Sequence, residues 1–276
     1  MRRLILGDNP FFGISHLNTE KSKEYLKDSS RQDKAVEIIK ASSSLGYSNF
    51  MISSHPNTKE LLTKSGYYEN EETLPNLVFV IPNIHEINDS IAKKGLLFGM
   101  INLFKSESLN IFSLVILGIF RRRTFYKNLI KIFLKLMIIN MPKKKIEYLC
   151  FHNVITDLLL GIGNKDLFKN LCSSVEELGF KPVFITLNPL IANQIIPPKI
   201  PLCIYYNRNS YNICPSKEDV IKVVKNKERP WWAMGILASG AISLDSTKED
   251  IVMNDFDSIL FASLSLERIK KAAEYL

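Results

Sequence analysis

The chain has 276 residues, of which 46% are hydrophobic and 23% charged; these are globular proportions, and they exclude a disordered chain, a collagen-like chain and a disulfide-stapled miniprotein. Lys and Arg number 36 against 28 Asp and Glu, a net charge of +8. Nine of the basic residues lie in residues 109–146, which hold no acidic residue, while the remainder carries 27 basic against 28 acidic residues, so the excess is local and does not predict a nucleic-acid-binding domain.

Short apolar runs alternate with helical patterns along the whole chain. Residues 4–6 read as a brief strand closed by the turn Gly7-Asp8-Asn9-Pro10. Residues 32–45 read as a helix with Ala35, Val36, Ile38, Ile39 and Leu45 on one side and Gly46 as its stop. Residues 49–54 and 77–81 are the second and third strands, the third bounded by prolines at 75 and 82. The fourth strand is 146–151 and the fifth 182–186, with a helix over 165–178 between them that ends at Gly179. The sixth, seventh and eighth strands are 202–206, 231–234 and 258–262, and a last helix covers 266–276.

Continuous rather than alternating apolar runs point to strands covered on both faces. Eight of them interleaved with helices predict a single (β/α)8 TIM barrel over 1–276; an open doubly wound sheet is the runner-up, disfavoured by the lack of G-x-G-x-x-G after the first strand. Two connections depart from the pattern. Residues 188–201 hold three prolines late in their course and leave room for only a short helix. The third-to-fourth connection is about twice the usual length and includes a helical excursion, 95–145, on the barrel exterior. In it, the apolar run 111–120 is too short to span a membrane, and the helix 126–139 sets Lys127, Lys131 and Lys135 at i, i+4 and i+8 as a basic stripe on an apolar helix. Three readings stay open for residues 109–145: a third barrel helix plus an added helix packed on the barrel, a helix lying on anionic lipid, or a protein-docking face.

Chemistry in a parallel barrel sits where the strands end. Asp8, Asn9 and His16 follow the first strand, His55 the second, Asn83 and His85 the third, His152, Asn153 and Asp157 the fourth, Asn188 the fifth and Asn207 the sixth. All four histidines of the chain fall on this one face, which predicts a polar mouth capable of proton transfer to or from a carbonyl or hydroxyl. His152, directly after an apolar strand, is the leading acid/base candidate, with His55 and Asp8 beside it and Asn9, Asn83, His85 and Asn153 as substrate contacts. Each of these residues also has a plain reading as a loop or capping residue. Only Asp8 is a strong acidic candidate there, which disfavours a glycosidase carboxylate pair. No H-x-H, H-E-x-x-H, G-x-S-x-G or Walker spacing occurs, and no metal is expected. After the eighth strand, Ser263, Ser265 and Arg268 open the last helix and read either as a simple cap or as a phosphate cradle.

Four stretches carry a resemblance to the aldo/keto reductase superfamily: Leu45-Gly46-Tyr47-Ser48-Asn49-Phe50, the strand from Ile146 to His152 followed by Asp157, Met234-Gly235-Ile236-Leu237-Ala238-Ser239-Gly240-Ala241-Ile242, and the stretch from Asp257 to Ile269. The resemblance implies a TIM barrel, an NADP-linked oxidoreductase activity, His152 as the family's active-site histidine, and Asn188, Asn207, Ser263, Ser265 and Arg268 near carboxamide and phosphate groups of the cofactor. The family's catalytic Asp, Tyr and Lys have no match, since their places fall near Met51–Ile52, Ser54–Pro56 and Asn83, and the family's nicotinamide-facing aromatic falls on Met234. The opening Gly7-Asp8-Asn9-Pro10-Phe11-Phe12-Gly13 and the run Cys150-Phe151-His152-Asn153-Val154-Ile155-Thr156-Asp157 are similar to a divergent group of bacterial barrel proteins, which implies a branch with its own mouth chemistry.

The expected function is a reductase-like barrel enzyme acting on a small carbonyl or polyhydroxylated substrate, NADP-linked, with His152 as acid/base. One alternative is a cofactor-free or metal-assisted lyase, aldolase or isomerase using the same histidines. The other is a catalytically degenerate barrel that docks to a membrane surface or a protein partner through residues 109–145. No secretory h-region follows Met1-Arg2-Arg3, and the four cysteines Cys150, Cys172, Cys203 and Cys214 show no metal-like spacing, so a cytoplasmic setting with free thiols, with contact at the inner membrane face under the second alternative, is the expectation.

Overall fold

A computed structural model of the chain describes residues 2–14, 29–69, 72–82, 122–206, 216–240, 242–247 and 256–276. The strands are β1 (Arg3–Gly7), β2 (Tyr47–Ser53), β3 (Asn76–Ile81), β4 (Ile146–Phe151), β5 (Lys181–Thr186), β6 (Leu202–Tyr205), β7 (Trp231–Met234) and β8 (Ser258–Phe261). They pair in chain order, all parallel, and β8 returns to β1, so the sheet closes into a barrel and the open-sheet reading is excluded. The described helices are α1 (Arg31–Ser42), α2 (Thr58–Lys64), α3 (Arg122–Met137), α4 (Asn153–Ile162), α5 (Lys165–Glu176), α6 (Pro189–Ile195), α7 (Lys217–Lys225) and α8 (Leu266–Tyr275).

The apolar runs form two cores because strand side chains alternate. Outward residues such as Leu6, Phe50, Ile52, Phe79 and Leu149 pack under the helices. Inward residues, among them Ile5, Met51, Val80, Cys150, Cys203 and Trp232, fill the barrel itself. Both faces of each strand are thereby removed from water, which is why the runs read as continuous rather than alternating. The N-terminal end of the barrel is closed by a polar cluster: buried Asn49 donates to Glu147 Oε2 at 2.8 Å, and Lys181 donates to Glu147 Oε1 at 2.9 Å.

Of the helices read from the sequence, α5 and α8 match their expected bounds to within two residues, whereas α1 ends at Ser42, short of Leu45. α5 has Asn164 as N-cap, its Oδ1 accepting from the Asp166 and Leu167 amides. The chain leaves that helix through Gly179 at φ 88, a left-handed value that suits glycine. The proline-rich connection after β5 does hold only a seven-residue helix, α6. α3 packs on the barrel exterior beside α5: Leu134 is fully buried, and Ile138 just beyond it nearly so. Of its lysine stripe, Lys127 and Lys131 both pair with Glu177, at the end of α5. Two of the three charges that could face lipid are thus engaged within the protein. Residues 95–121 of the expected excursion, with the apolar run 111–120, lie outside the described residues. No described helix is long and apolar enough to cross a membrane.

Cys150, Cys172 and Cys203 are free, buried thiols, and Cys214 lies outside the described residues. Burial pushes Cys172 up to about 12 and raises Cys150 and Cys203 as well, so none of the three is a thiolate nucleophile at neutral pH.

Candidate active site

The strand ends bring the described candidates to one rim. Asp8 follows β1 and is 6% exposed. Its Oδ2 accepts from both the amide and the hydroxyl of Ser53, each at 2.6 Å, tying the ends of β1 and β2 together. Burial raises the carboxyl above its ordinary value, and the two Ser53 hydrogen bonds oppose that rise only in part. Asn9 and Pro10 begin the 3-10 turn Asn9–Phe12 that follows. Phe12 from this turn stacks on His55, with ring centroids 4.4 Å apart and planes at 19°.

The two described histidines are held by the same device. His55 Nδ1 accepts from the Asn57 amide at 3.2 Å, and His152 Nδ1 accepts from the Val154 amide at 3.3 Å. A ring nitrogen that accepts carries no proton, so each neutral imidazole carries its proton on Nε2. For His152 this contact is also the N-cap of α4. The residue stands in the inward parity of β4, two positions beyond Cys150, and its backbone N–H extends the ladder by donating to Ile81 O at 2.9 Å. Asn153 is the first residue of α4 and is half-buried.

Asp157, one turn into α4, reaches across to the end of β5. Its Oδ1 accepts from Thr186 Oγ1 at 2.6 Å, and its Oδ2 accepts from the Leu187 amide at 3.1 Å. Thr186 Oγ1 in turn accepts from the Asn188 amide at 3.0 Å, and Asn188 caps α6 through Oδ1 to the Ile191 amide at 3.2 Å. Asn188 therefore stands at the mouth with its oxygen committed to a helix start.

At the last strand, buried Ser263 accepts the Ser265 amide at 3.1 Å, and Ser265 caps α8 by accepting the Arg268 amide at 3.4 Å. The capping reading of Ser265 is therefore realised. The Arg268 side chain is exposed, and its guanidinium makes no hydrogen bond or ion pair among the described residues. Asn83, His85 and Asn207, together with His16, lie outside the described residues. Among the described residues no group of three His, Cys, Asp or Glu side chains is placed to hold a metal.

Ser53, Thr186 and Asp157 are visible in the sequence as strand-end polar residues, but the hydrogen bonds that join them to Asp8 and Asn188 are not. Tyr205 is a further rim residue, one that its apolar run marks only as strand. Its signal is the spacing of two from Cys203, which puts both on the inner face.

No family model matches the sequence, and no curated protein matches it. Solved structures do match in fold. A protein from Pseudomonas aeruginosa described as an aldo-keto reductase aligns with a TM-score of 0.57 and 11% identity, over 99% of this chain and 90% of that one. An aldo-keto reductase from Bacillus halodurans in its holo form aligns with a TM-score of 0.52 and 10% identity, over 99% of this chain and 86% of that one. The chain thus has the barrel fold of the aldo-keto reductases, and at this identity the likeness concerns the fold alone.

Proposed function

We propose that the protein is an oxidoreductase that binds NADP(H) at its barrel mouth and acts on a small carbonyl or polyhydroxylated substrate. The observation that carries this reading is the start of α8. There Ser263 and Ser265 order the turn, the first amides of the helix have no intrahelical partner, and Arg268 offers a cation with no partner among the described residues. A helix N-terminus beside an arginine suits a phosphate, so these residues fit the phosphate of the nucleotide. The nucleotide, when bound, supplies hydride chemistry.

His152 is the proton donor of this reading. Its Nδ1 is occupied by the Val154 amide, so Nε2–H is the side that can give a proton to a carbonyl oxygen and recover it. Asp8 holds Ser53 and the β2 end, and Phe12 holds the His55 ring; these contacts keep the polar side of the mouth in place.

The test is a calorimetric titration of the protein with NADPH, with NADH as comparison. Micromolar binding that prefers NADPH and is weakened in Arg268→Ala supports the reading. Absence of binding at millimolar NADPH overturns it and turns attention to a cofactor-free lyase or isomerase reaction of the same histidines.

A further inference from the structure

The closed sheet fixes which inward side chains stand level with one another. In a barrel of this kind, inward residues of alternate strands stack in layers of four. Carried around the barrel, the strand registers place Met51, Cys150, Cys203 and Leu260 in one layer and Gly7, Val80, Ile185 and Met234 in the next. The layer above is Ser53, His152, Tyr205 and Ala262, each two residues past a member of the first. Val80, Ile185 and Met234 are at most 6% exposed, whereas all four residues of the upper layer are partly exposed. That layer is therefore the floor of the mouth, and every residue of it is among the described ones.

The floor is uneven. His152 and Tyr205 bring large side chains to it, while the β1–β8 side carries only the Ala262 methyl over Gly7; a Cβ on Gly7 would lie 3.1 Å from that methyl. Leu260 beneath stays partly exposed, although Met51, Cys150 and Cys203 of its layer are 3% exposed or less. The low corner lies beside Asp8, which follows Gly7 and is tied to the floor by inward-facing Ser53. Both Ser53 hydrogen bonds go to Oδ2, and Oδ1 accepts from no other described residue. A buried carboxyl with one oxygen uncommitted calls for a partner. A hydroxyl supplies one whether or not the carboxyl carries a proton, because it both donates and accepts. The interior of an eight-stranded barrel is only wide enough for side chains to fill it, so a short molecule spans the floor from Asp8 to His152.

We propose that Asp8 Oδ1 binds a substrate hydroxyl in this corner while His152, the neighbour of Ser53 in the layer, faces the carbonyl, so that the substrate is a short hydroxycarbonyl compound with its hydroxyl on the carbon next to the carbonyl. This rests on the reading of the mouth as an NADP(H)-linked carbonyl site and adds to it the substrate class and the residue that selects it.

The test compares hydroxyacetone with butanone, in which a methyl replaces the hydroxyl, on the wild type and Asp8→Ala. Binding is read by saturation-transfer NMR with and without NADPH, and turnover as NADPH oxidation. Loss of a hydrogen bond to a carboxylate weakens binding by about tenfold to hundredfold. The expected result is that the wild type prefers hydroxyacetone by such a factor, and that Asp8→Ala, its folding checked by circular dichroism, binds the two ketones alike. Equal binding of both by the wild type, or binding of neither, overturns the proposal, and so does a preference that survives in folded Asp8→Ala. If that variant does not fold, the wild-type comparison decides alone. Preferential binding of hydroxyacetone without NADPH oxidation leaves the Asp8 contact standing and removes the NADP(H) reading; NADPH oxidation with both ketones equally does the reverse.

Discussion

His152 Nδ1 accepts the amide hydrogen of Val154 at 3.3 Å, so the residue proposed as proton donor also caps the helix that follows it. The two roles separate by substitution. His152→Ala loses the cap and is expected to destabilise the fold by about 1 kcal/mol, as N-cap removals do. His152→Asn keeps a capping oxygen and should recover most of that loss. Neither variant can shuttle a proton at this position, so both should lack turnover once a substrate is in hand. Thermal unfolding of the three proteins checks the first part. Equal melting of His152→Ala and wild type would show that the cap contributes nothing.

Asp8 gives a pH dependence of definite sign. Folding raises its carboxyl above the ordinary value of 3.8 because burial penalises the charge. A raised folded-state pKa contributes stability that is fully present below the unfolded value and is lost as pH rises through the folded value. Each tenfold change in the acid constant on folding corresponds to about 1.4 kcal/mol. Asp8→Asn keeps an oxygen for the Ser53 amide and hydroxyl but never ionises. The variant should therefore gain stability relative to wild type as pH is raised from below 3.8 towards neutrality. Denaturant melts at several pH values measure the difference, and a difference that shrinks with rising pH would contradict the direction given.

The barrel is legible in the sequence because its signals are local and repeated. The runs Ile146 to Phe151 and Trp231 to Met234 are strands at the bounds their composition predicts, and glycines such as Gly179 stop helices where expected. The lysine stripe is legible only in part. Its spacing on α3 is real, yet Glu177, more than 40 residues along the chain, takes up Lys127 and Lys131, a pairing that no helical wheel of α3 contains. The same limit applies at the mouth. Strand ends point to Asp8, His152 and Asn188, but the bonds that join Asp8 to Ser53 of β2 and Asp157 of α4 to Thr186 of β5 run between elements and depend on the barrel's packing.

Asp157 shows what such a contact between elements does. Its carboxylate is the acceptor for the Thr186 hydroxyl and the Leu187 amide, and Thr186 is fully buried. Asp157→Ala leaves both donors without that acceptor, at an expected cost of about 2 kcal/mol. It also releases the link that keeps α4 against the end of β5 beside His152. Asp157→Asn retains one acceptor oxygen and should fall between. Unfolding free energies of the two variants order the effect, and an alanine variant as stable as wild type would show the link to be dispensable.

Arg229 offers the most demanding stability prediction. It is 5% exposed, and Nε donates to Asn193 Oδ1 at 2.7 Å. NH1 donates to Pro197 O and Ile200 O, and NH2 to Asn193 O and Ile196 O. One guanidinium thus satisfies the carbonyls at the end of α6 and through the loop that leads into β6. Burial lowers its pKa, but an arginine stays charged throughout the neutral range. Lysine has a single point donor group and cannot reproduce the planar fork. Arg229→Lys should therefore cost nearly as much as Arg229→Ala, and both should exceed about 3 kcal/mol because several buried carbonyls lose their donors together. Chemical denaturation measures this directly. A lysine variant within about 1 kcal/mol of wild type would mean that charge, rather than the fork geometry, holds the loop.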